Sequence, residues 1–180
     1  MSNPKFSIVI PIYNAESTIA RTIASLKEFD FTDYEVLLIN DGSTDQTEAI
    51  ITRLIENDPK FRLITTANQG PGLARNEGIM QAQGTYILFF DADDTPKKEV
   101  LSDYDKLLAK HPDTDLIVSS FIFRTMDGEQ IISEKENLVT EHHYQSHDSF
   151  IKDMYRLMND QLMYVVWNKC YRRDILKQNQ

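Results

Sequence analysis

Tyr86-Ile87-Leu88-Phe89-Phe90-Asp91-Ala92-Asp93-Asp94 is the stretch on which the fold turns. Five apolar residues follow one another without alternation, as in a strand covered on both faces of a parallel sheet, and then give way to three carboxylates. Outward from it the same pattern recurs in Phe6-Ser7-Ile8-Val9-Ile10-Pro11-Ile12, Val36-Leu37-Leu38-Ile39, Phe61-Arg62-Leu63-Ile64 and Leu116-Ile117-Val118. The ends of these runs, near Ile12, Asn40, Thr66, Phe90 and Ser119, are 28, 26, 24 and 29 residues apart. That is the length of a strand, a helix and two loops, so each step reads as one βαβ crossover.

The intervening stretches carry helical signals. Ile19, Ile23 and Leu26 share one face, as do Ile50, Ile51, Leu54 and Ile55. Ser43 with Gln46 predicts a capping box, and Thr95-Pro96 predicts an N-cap with proline at the first helical position. Ala74, Gly78 and Ala82 recur at i, i+4 and i+8, leaving a smooth strip on which a strand can pack. After Ser120 the rhythm changes. Met126-Asp127-Gly128-Glu129 predicts a hairpin turn, residues 133–147 read as a polar stretch, and Phe150, Met154, Tyr155, Leu157 and Met158 mark an amphipathic helix. Trp167-Asn168-Lys169 read as the end of a strand, with packing the default role for Trp167. The expected class is α/β: a mostly parallel sheet with helices on both faces. Residues 1–119 form its core, and residues 120–180 a less regular portion of the same domain.

Composition narrows the function. The 180 residues are 41% hydrophobic and 26% charged, which excludes wholesale disorder. The net charge of −9 is shared by both halves, so binding to a nucleic-acid backbone is not expected. Cys170 is the single cysteine, which leaves no intrachain disulfide and no thiolate metal cage. Met1-Ser2-Asn3-Pro4-Lys5 lacks the basic and apolar regions of a secretory signal, and no apolar run reaches membrane length. A soluble, cytoplasmic domain is expected.

In an open parallel sheet, ligands sit at the carboxyl ends of the strands. There the chain places Pro11-Ile12-Tyr13-Asn14, Asn40-Asp41-Gly42-Ser43, Asn68-Gln69-Gly70-Pro71-Gly72 and Asp91-Ala92-Asp93-Asp94. Crowded carboxylates repel one another unless a cation is near, and hard oxygen ligands favour Mg²⁺ or Mn²⁺ shared with a diphosphate. The competing reading is a solvated loop capping the next helix. Asp41 can accept from a base or ribose, or serve only its own turn. Arg75, behind the glycine-rich loop, can reach an anion or stay an exposed helix residue. Tyr13 can stack on a base or pack half-buried. His142, His143 and His147 lie in the polar stretch without a carboxylate motif, which disfavours a metal site.

Taken in order, these motifs, with Arg75-Asn76-Glu77-Gly78, Trp167-Asn168-Lys169 and Tyr171-Arg172-Arg173, resemble the family-two glycosyltransferases, an inverting group with the Rossmann-like GT-A fold. Asn40 stands where many relatives are acidic. The resemblance implies a nucleotide-sugar-binding core in which Pro11, Ile12, Tyr13, Asn14, Asp41, Gly72, Arg75, Asp91 and Ala92 hold the nucleotide sugar. Asp91 and Asp93 form a D-x-D pair, the first towards the ribose and the second towards Mn²⁺ or Mg²⁺ on the diphosphate. It further implies a UDP-sugar donor, a glycan or lipid-linked acceptor, and a role in bacterial cell-surface polysaccharide synthesis. Relatives place the general base in a Glu-Asp motif beyond the Trp-Asn-Lys segment. No such dipeptide occurs here, so the chain is expected to be an N-terminal catalytic-domain fragment with its base beyond Gln180. Lys169, Arg172, Arg173 and Lys177 suggest peripheral attraction to the inner face of a membrane, and equally a solvated helix end.

Two alternatives carry other chemistry. Leu88 through Thr95 fits the Asp-x-Asp-x-Thr string of haloacid-dehalogenase-like phosphatases, with Asp91 as nucleophile and Asp93 as acid/base. Three strand–helix units precede it, whereas that motif normally opens its domain. The other alternative is a nucleotide-binding module without catalysis.

Overall fold

A computed structural model describes residues 3–128 and 130–178, so Glu129 of the expected turn and the first two residues of the N-terminal reading lie outside it. The elements run β1 (Phe6–Ile12), α1 (Ile19–Lys27), β2 (Tyr34–Asp41), α2 (Thr47–Ile55), β3 (Phe61–Thr66), α3 (Pro71–Gln81), β4 (Tyr86–Phe89) and α4 (Val100–Lys110). They continue with β5 (Leu116–Val118), β6 (Phe121–Asp127), β7 (Gln130–Asn137), α5 (His147–Asn159), β8 (Lys169–Arg172) and α6 (Arg173–Gln178). Residues 1–117 and 170–180 form one compact unit and residues 118–169 a second. The expected division falls after residue 119 and keeps residues 120–180 together within the same domain. In the structure residues 170–178 lie with the first unit, because β8 pairs with β4.

The first unit is built on a sheet of order β3-β2-β1-β4-β8-β5. β1 pairs in parallel with both β2 and β4, and β2 with β3. β8 runs antiparallel to β4 and separates it from β5, so the fourth step is a crossover past an inserted strand. The unbroken apolar runs have the expected cause. Ile8, Ile10, Val36, Leu38 and Leu88 face a core with Ile19, Ile23, Leu26, Ile51, Leu101 and Leu108 from α1, α2 and α4. Alternate residues Val9, Leu37, Ile39, Ile87 and Phe89 face a second core with Ala74 and Ile79 of α3. Ala74, Gly78 and Ala82 are buried as the smooth strip predicts. A β-carbon at Gly78 would stand 2.2 Å from Cγ1 of Val9.

Local helix signals were less faithful. α2 begins at Thr47 after Gln46, and the side chain of Gln46 makes no capping bond. The N–H of Thr47 is instead taken by Oδ1 of Asp45, two residues back, at 3.0 Å. α4 begins at Val100, four residues after Pro96, behind a turn in which the N–H of Val100 reaches the carbonyl of Lys97 at 3.1 Å. Trp167 and Asn168 lead into β8 rather than ending a strand.

The second unit holds the β6–β7 hairpin, whose β7 takes up residues 133–137 of the expected polar stretch, and α5 with a Ser146–Ser149 capping box. Trp167 packs edge-on against Phe121 with centroids 4.6 Å apart. Lys169 is buried and donates to the carbonyls of Leu162 and Val165 and to Oδ1 of Asn168. Burial lowers its pKa to about 8. In the first unit Arg172 is paired with Asp115, and Arg173 donates to the carbonyl of Ala82. The cations read as a cluster in the sequence are therefore largely engaged inside the protein. Among the described residues no helix is long and apolar enough to cross a membrane.

Candidate functional site

Strand order reverses at β1, which sends one crossover towards β2 and receives another at β4. Such a switch point opens a crevice at the carboxyl ends of the strands. The loops after β1, β2, β3 and β4 meet there, joined by side-chain hydrogen bonds. Asn14, left-handed at φ 48, accepts the N–H of Thr44 at 2.8 Å, and its own N–H reaches Oγ of Ser43 at 3.0 Å. Asparagine tolerates this backbone better than most residues, which explains its place after Tyr13. Asp41 is buried, and its carboxylate accepts N–H groups of Gln69 at 2.9 Å and Gly70 at 2.7 Å and the hydroxyl of Thr66 at 3.3 Å. Gly42, at φ 70, brings that turn so close that a β-carbon would lie 2.8 Å from the nitrogen of Asn68. Arg75 closes the series with an ion pair to Asp91 at 2.8 Å.

The carboxylates of residues 91–94 are thereby differentiated. The guanidinium of Arg75 balances Asp91, so a positive partner for that charge is already part of the chain. Asp94 turns inward and accepts the N–H of Asp91 at 2.8 Å. Burial above all, with the charges of Asp91 and Asp93, pushes its pKa up to about 6. Asp93 is exposed, and its carboxylate takes no hydrogen bond or ion pair among the described residues. No group of three or more His, Cys, Asp or Glu able to hold a metal occurs among those residues. An open Mg²⁺ or Mn²⁺ site needs only one or two protein carboxylates, with phosphates and water completing the shell. Asp93, with Asp91 beside it, suits that requirement.

Of the other expected residues, Tyr13 is 51% exposed at the crevice, so stacking rather than packing is open to it. Ile12 is a core residue and can offer a ligand only its backbone. Pro11 is half-buried, and Gly72 lies exposed in the first turn of α3 with open space where a β-carbon would stand. The ring of His142 lies against that of Tyr144 in the second unit, tilted by 59° with centroids 4.4 Å apart. Sequence reasoning missed Thr22, whose buried hydroxyl donates to the carbonyl of Ala92 at 2.9 Å. The available signal was a hydroxyl residue on the apolar face of α1.

The raised pKa of Asp94 gives a pH signature. A carboxyl whose folded pKa lies above its unfolded value contributes stability that is present below the unfolded pKa and lost as pH rises through the folded one. From about pH 4 to about pH 6, Asp94 should therefore make unfolding progressively easier. Asp94→Asn keeps an acceptor for the N–H of Asp91 and removes the titration. In a chelator, it should melt above the parent at pH 7.5, with the gap closing as pH falls below 6. A gap independent of pH would show that the fold does not raise the pKa of Asp94.

The glycosyl transferase family 2 model matches residues 7–179, and the chain belongs to that family. It is 37% identical over 134 residues to an uncharacterized glycosyltransferase of Haemophilus influenzae, covering 73% of this chain and 52% of the relative. With the uncharacterized glycosyltransferase YibD of Escherichia coli it shares 33% identity over 182 residues, 99% of this chain and 51% of the relative. The crystal structure of Staphylococcus aureus TarS 1-349 in complex with UDP-GlcNAc superposes with a TM-score of 0.69 at 29% identity, covering 97% of this chain and 47% of that one. The expected GT-A architecture is thus shared with a solved glycosyltransferase. The chain spans about half the length of the curated relatives it matches.

Proposed function

We propose that this chain binds the donor for a transferase that moves a sugar from a UDP-sugar to an acceptor hydroxyl with inversion, in bacterial cell-surface polysaccharide synthesis. The observation that carries this reading is the series of four hydrogen-bonded loops at the switch point, which leaves the carboxylate of Asp93 free. The TarS complex with UDP-GlcNAc supports a uridine donor, and the curated name poly(ribitol-phosphate) beta-N-acetylglucosaminyltransferase for TarS supports a polymeric acceptor. Glycan and lipid-linked acceptors both suit it, and the place of work is the cytoplasmic side of the membrane. Tyr13 stacks on the base, the loop framed by Asp41 surrounds it, and Arg75 approaches it. Pro11, Ile12, Asn14, Gly72 and Ala92 lend backbone and contact surface.

A divalent cation bound by Asp93, with Asp91 adjacent, would neutralise the charge that develops on the departing diphosphate. The general base is assigned to no residue of this chain. The phosphatase reading needs Asp91 free as a nucleophile, and Asp91 is tied to Arg75 in a chain of another family. Calorimetric titration of UDP and ADP in Mn²⁺ tests the donor. UDP should bind more tightly, and equal affinities would remove base recognition while leaving the fold untouched.

A further inference from the structure

We infer that Thr22 is a positioning residue for the cation-binding carboxylate, and that α1 sets the shape of the 91–94 loop through two carbonyl tethers. The inference rests on the reading of the crevice given above and deepens it. On α1 the apolar face is Ile19, Ile23 and Leu26, and Thr22 lies among them, fully buried. A threonine inside a helix commonly turns its hydroxyl back to a carbonyl of its own preceding turn. Here the hydroxyl goes to the carbonyl of Ala92, seventy residues away, at 2.9 Å. The neighbouring Arg21 extends an N–H towards the carbonyl of Asp93 at 3.4 Å. Both tethers end on the backbone between the two D-x-D carboxylates or directly after it.

The rest of the loop is fixed from inside. Asp94 takes the N–H of Asp91, the N–H of Asp94 reaches the carbonyl of Asp91 at 3.1 Å, and Arg75 holds the Asp91 carboxylate. Asp93 is then the one carboxylate of the loop whose direction no hydrogen bond or ion pair sets among the described residues. Its aim depends on the backbone that carries it, and Thr22 and Arg21 hold that backbone. A short hydroxyl bond from a buried helix position restricts the peptide more than the longer reach of exposed Arg21. Outer partners that orient a metal ligand typically affect affinity about 10–100-fold, although they never touch the ion.

The test reads the metal-dependent gain, defined as UDP affinity in Mn²⁺ divided by UDP affinity in EDTA, by calorimetry on the full chain. Thr22→Val keeps the branched shape and deletes the donor, and should lower the gain about tenfold or more. Thr22→Ser keeps the donor and should restore the gain to within about threefold of the parent. A merely structural threonine would instead lower the melting temperature of Thr22→Val and leave the gain intact, which would overturn the inference. Arg21→Gln, at an exposed position that cannot unfold the core, should reduce the gain more modestly. An unchanged gain there would overturn the two-point tether even if Thr22→Val failed to fold. Asp93→Asn run in parallel separates the two levels. Loss of the gain in Asp93→Asn with an unaltered Thr22→Val refutes positioning alone, and a parent without any gain refutes the donor reading and this inference together.

Discussion

Asp93→Asn should stay folded and lose the Mn²⁺-dependent part of its UDP affinity, by about tenfold or more, which corresponds to about 1.4 kcal/mol or more. The expectation follows from how the structure divides the three neighbouring acids. Asp91 has a cation of its own in Arg75, and Asp94 is turned inward against the N–H of Asp91. Asp93 alone presents an unengaged charge, and a hard divalent ion shared with a diphosphate needs such an oxygen. Asparagine keeps the shape and removes the charge. It also relieves the repulsion that raises Asp94, so in a chelator the variant should melt slightly above the parent. Asp105 is an unsuitable control, because its carboxylate pairs with Lys5 beside β1. Asp103 is better, being exposed and, among the described residues, paired only with Lys106 one helical turn on. Asp103→Asn should bind UDP like the parent. If Asp93→Asn does so too, the acidic loop is only a turn and the donor reading loses its chemical centre.

The sheet was legible in the sequence because burial on both faces leaves a mark that local chemistry cannot imitate. Phe6-Ser7-Ile8-Val9-Ile10 and Tyr86-Ile87-Leu88-Phe89 contain almost no polar residue, and their spacing admits a crossover and little else. The rim was legible for a related reason, since each run ends abruptly in turn-forming polar residues. Helix starts were harder to read. Thr95-Pro96 satisfies the local preference for a helix start, yet α4 begins only at Val100, after a turn closed between Val100 and Lys97. β8 was invisible as an inserted antiparallel strand, because Lys169-Cys170-Tyr171-Arg172 carries two cations, and neither the burial of Lys169 nor the distant partner of Arg172, Asp115, can be read along the chain. The basic cluster dissolved for the same reason: charge can be counted along the chain, while burial cannot. Thr22 and the Ser7–Glu35 pair belong to this class too, for both are polar groups in the core whose partners are distant.

Gly84→Ala should be the most damaging small substitution in the chain, costing about 3 kcal/mol or more, at the upper end of what overpacking imposes. A β-carbon there would lie 2.6 Å from both the nitrogen and Oγ of Ser7 and 2.7 Å from the carbonyl carbon of Phe6. Those are backbone and near-backbone atoms of β1, which is flanked by β2 and β4 and cannot retreat. The intruding methyl also strikes a buried network. Gly84 donates its N–H to Oγ of Ser7 at 2.8 Å, and Ser7 donates to Oε1 of Glu35, which also accepts the N–H of Gln83, each at 2.7 Å. Displacing the turn leaves these groups unsatisfied as well as crowded. For a chain of this size a loss of about 3 kcal/mol lowers the melting temperature by about 6–12 °C. Gly78→Ala makes an instructive contrast, since its β-carbon would meet Cγ1 of Val9 at 2.2 Å, a side-chain atom that can be removed. Alone it should cost about 1–3 kcal/mol, and Val9→Ala in the same chain should recover part of that cost. Ser7→Ala should give Gly84→Ala no such relief, because the backbone of β1 remains in the way. Thermal melts of the four single variants and two doubles decide it: rescue at both glycines would mean that the turn before β4 is free to move, and rescue at neither that α3 is as fixed as the strand.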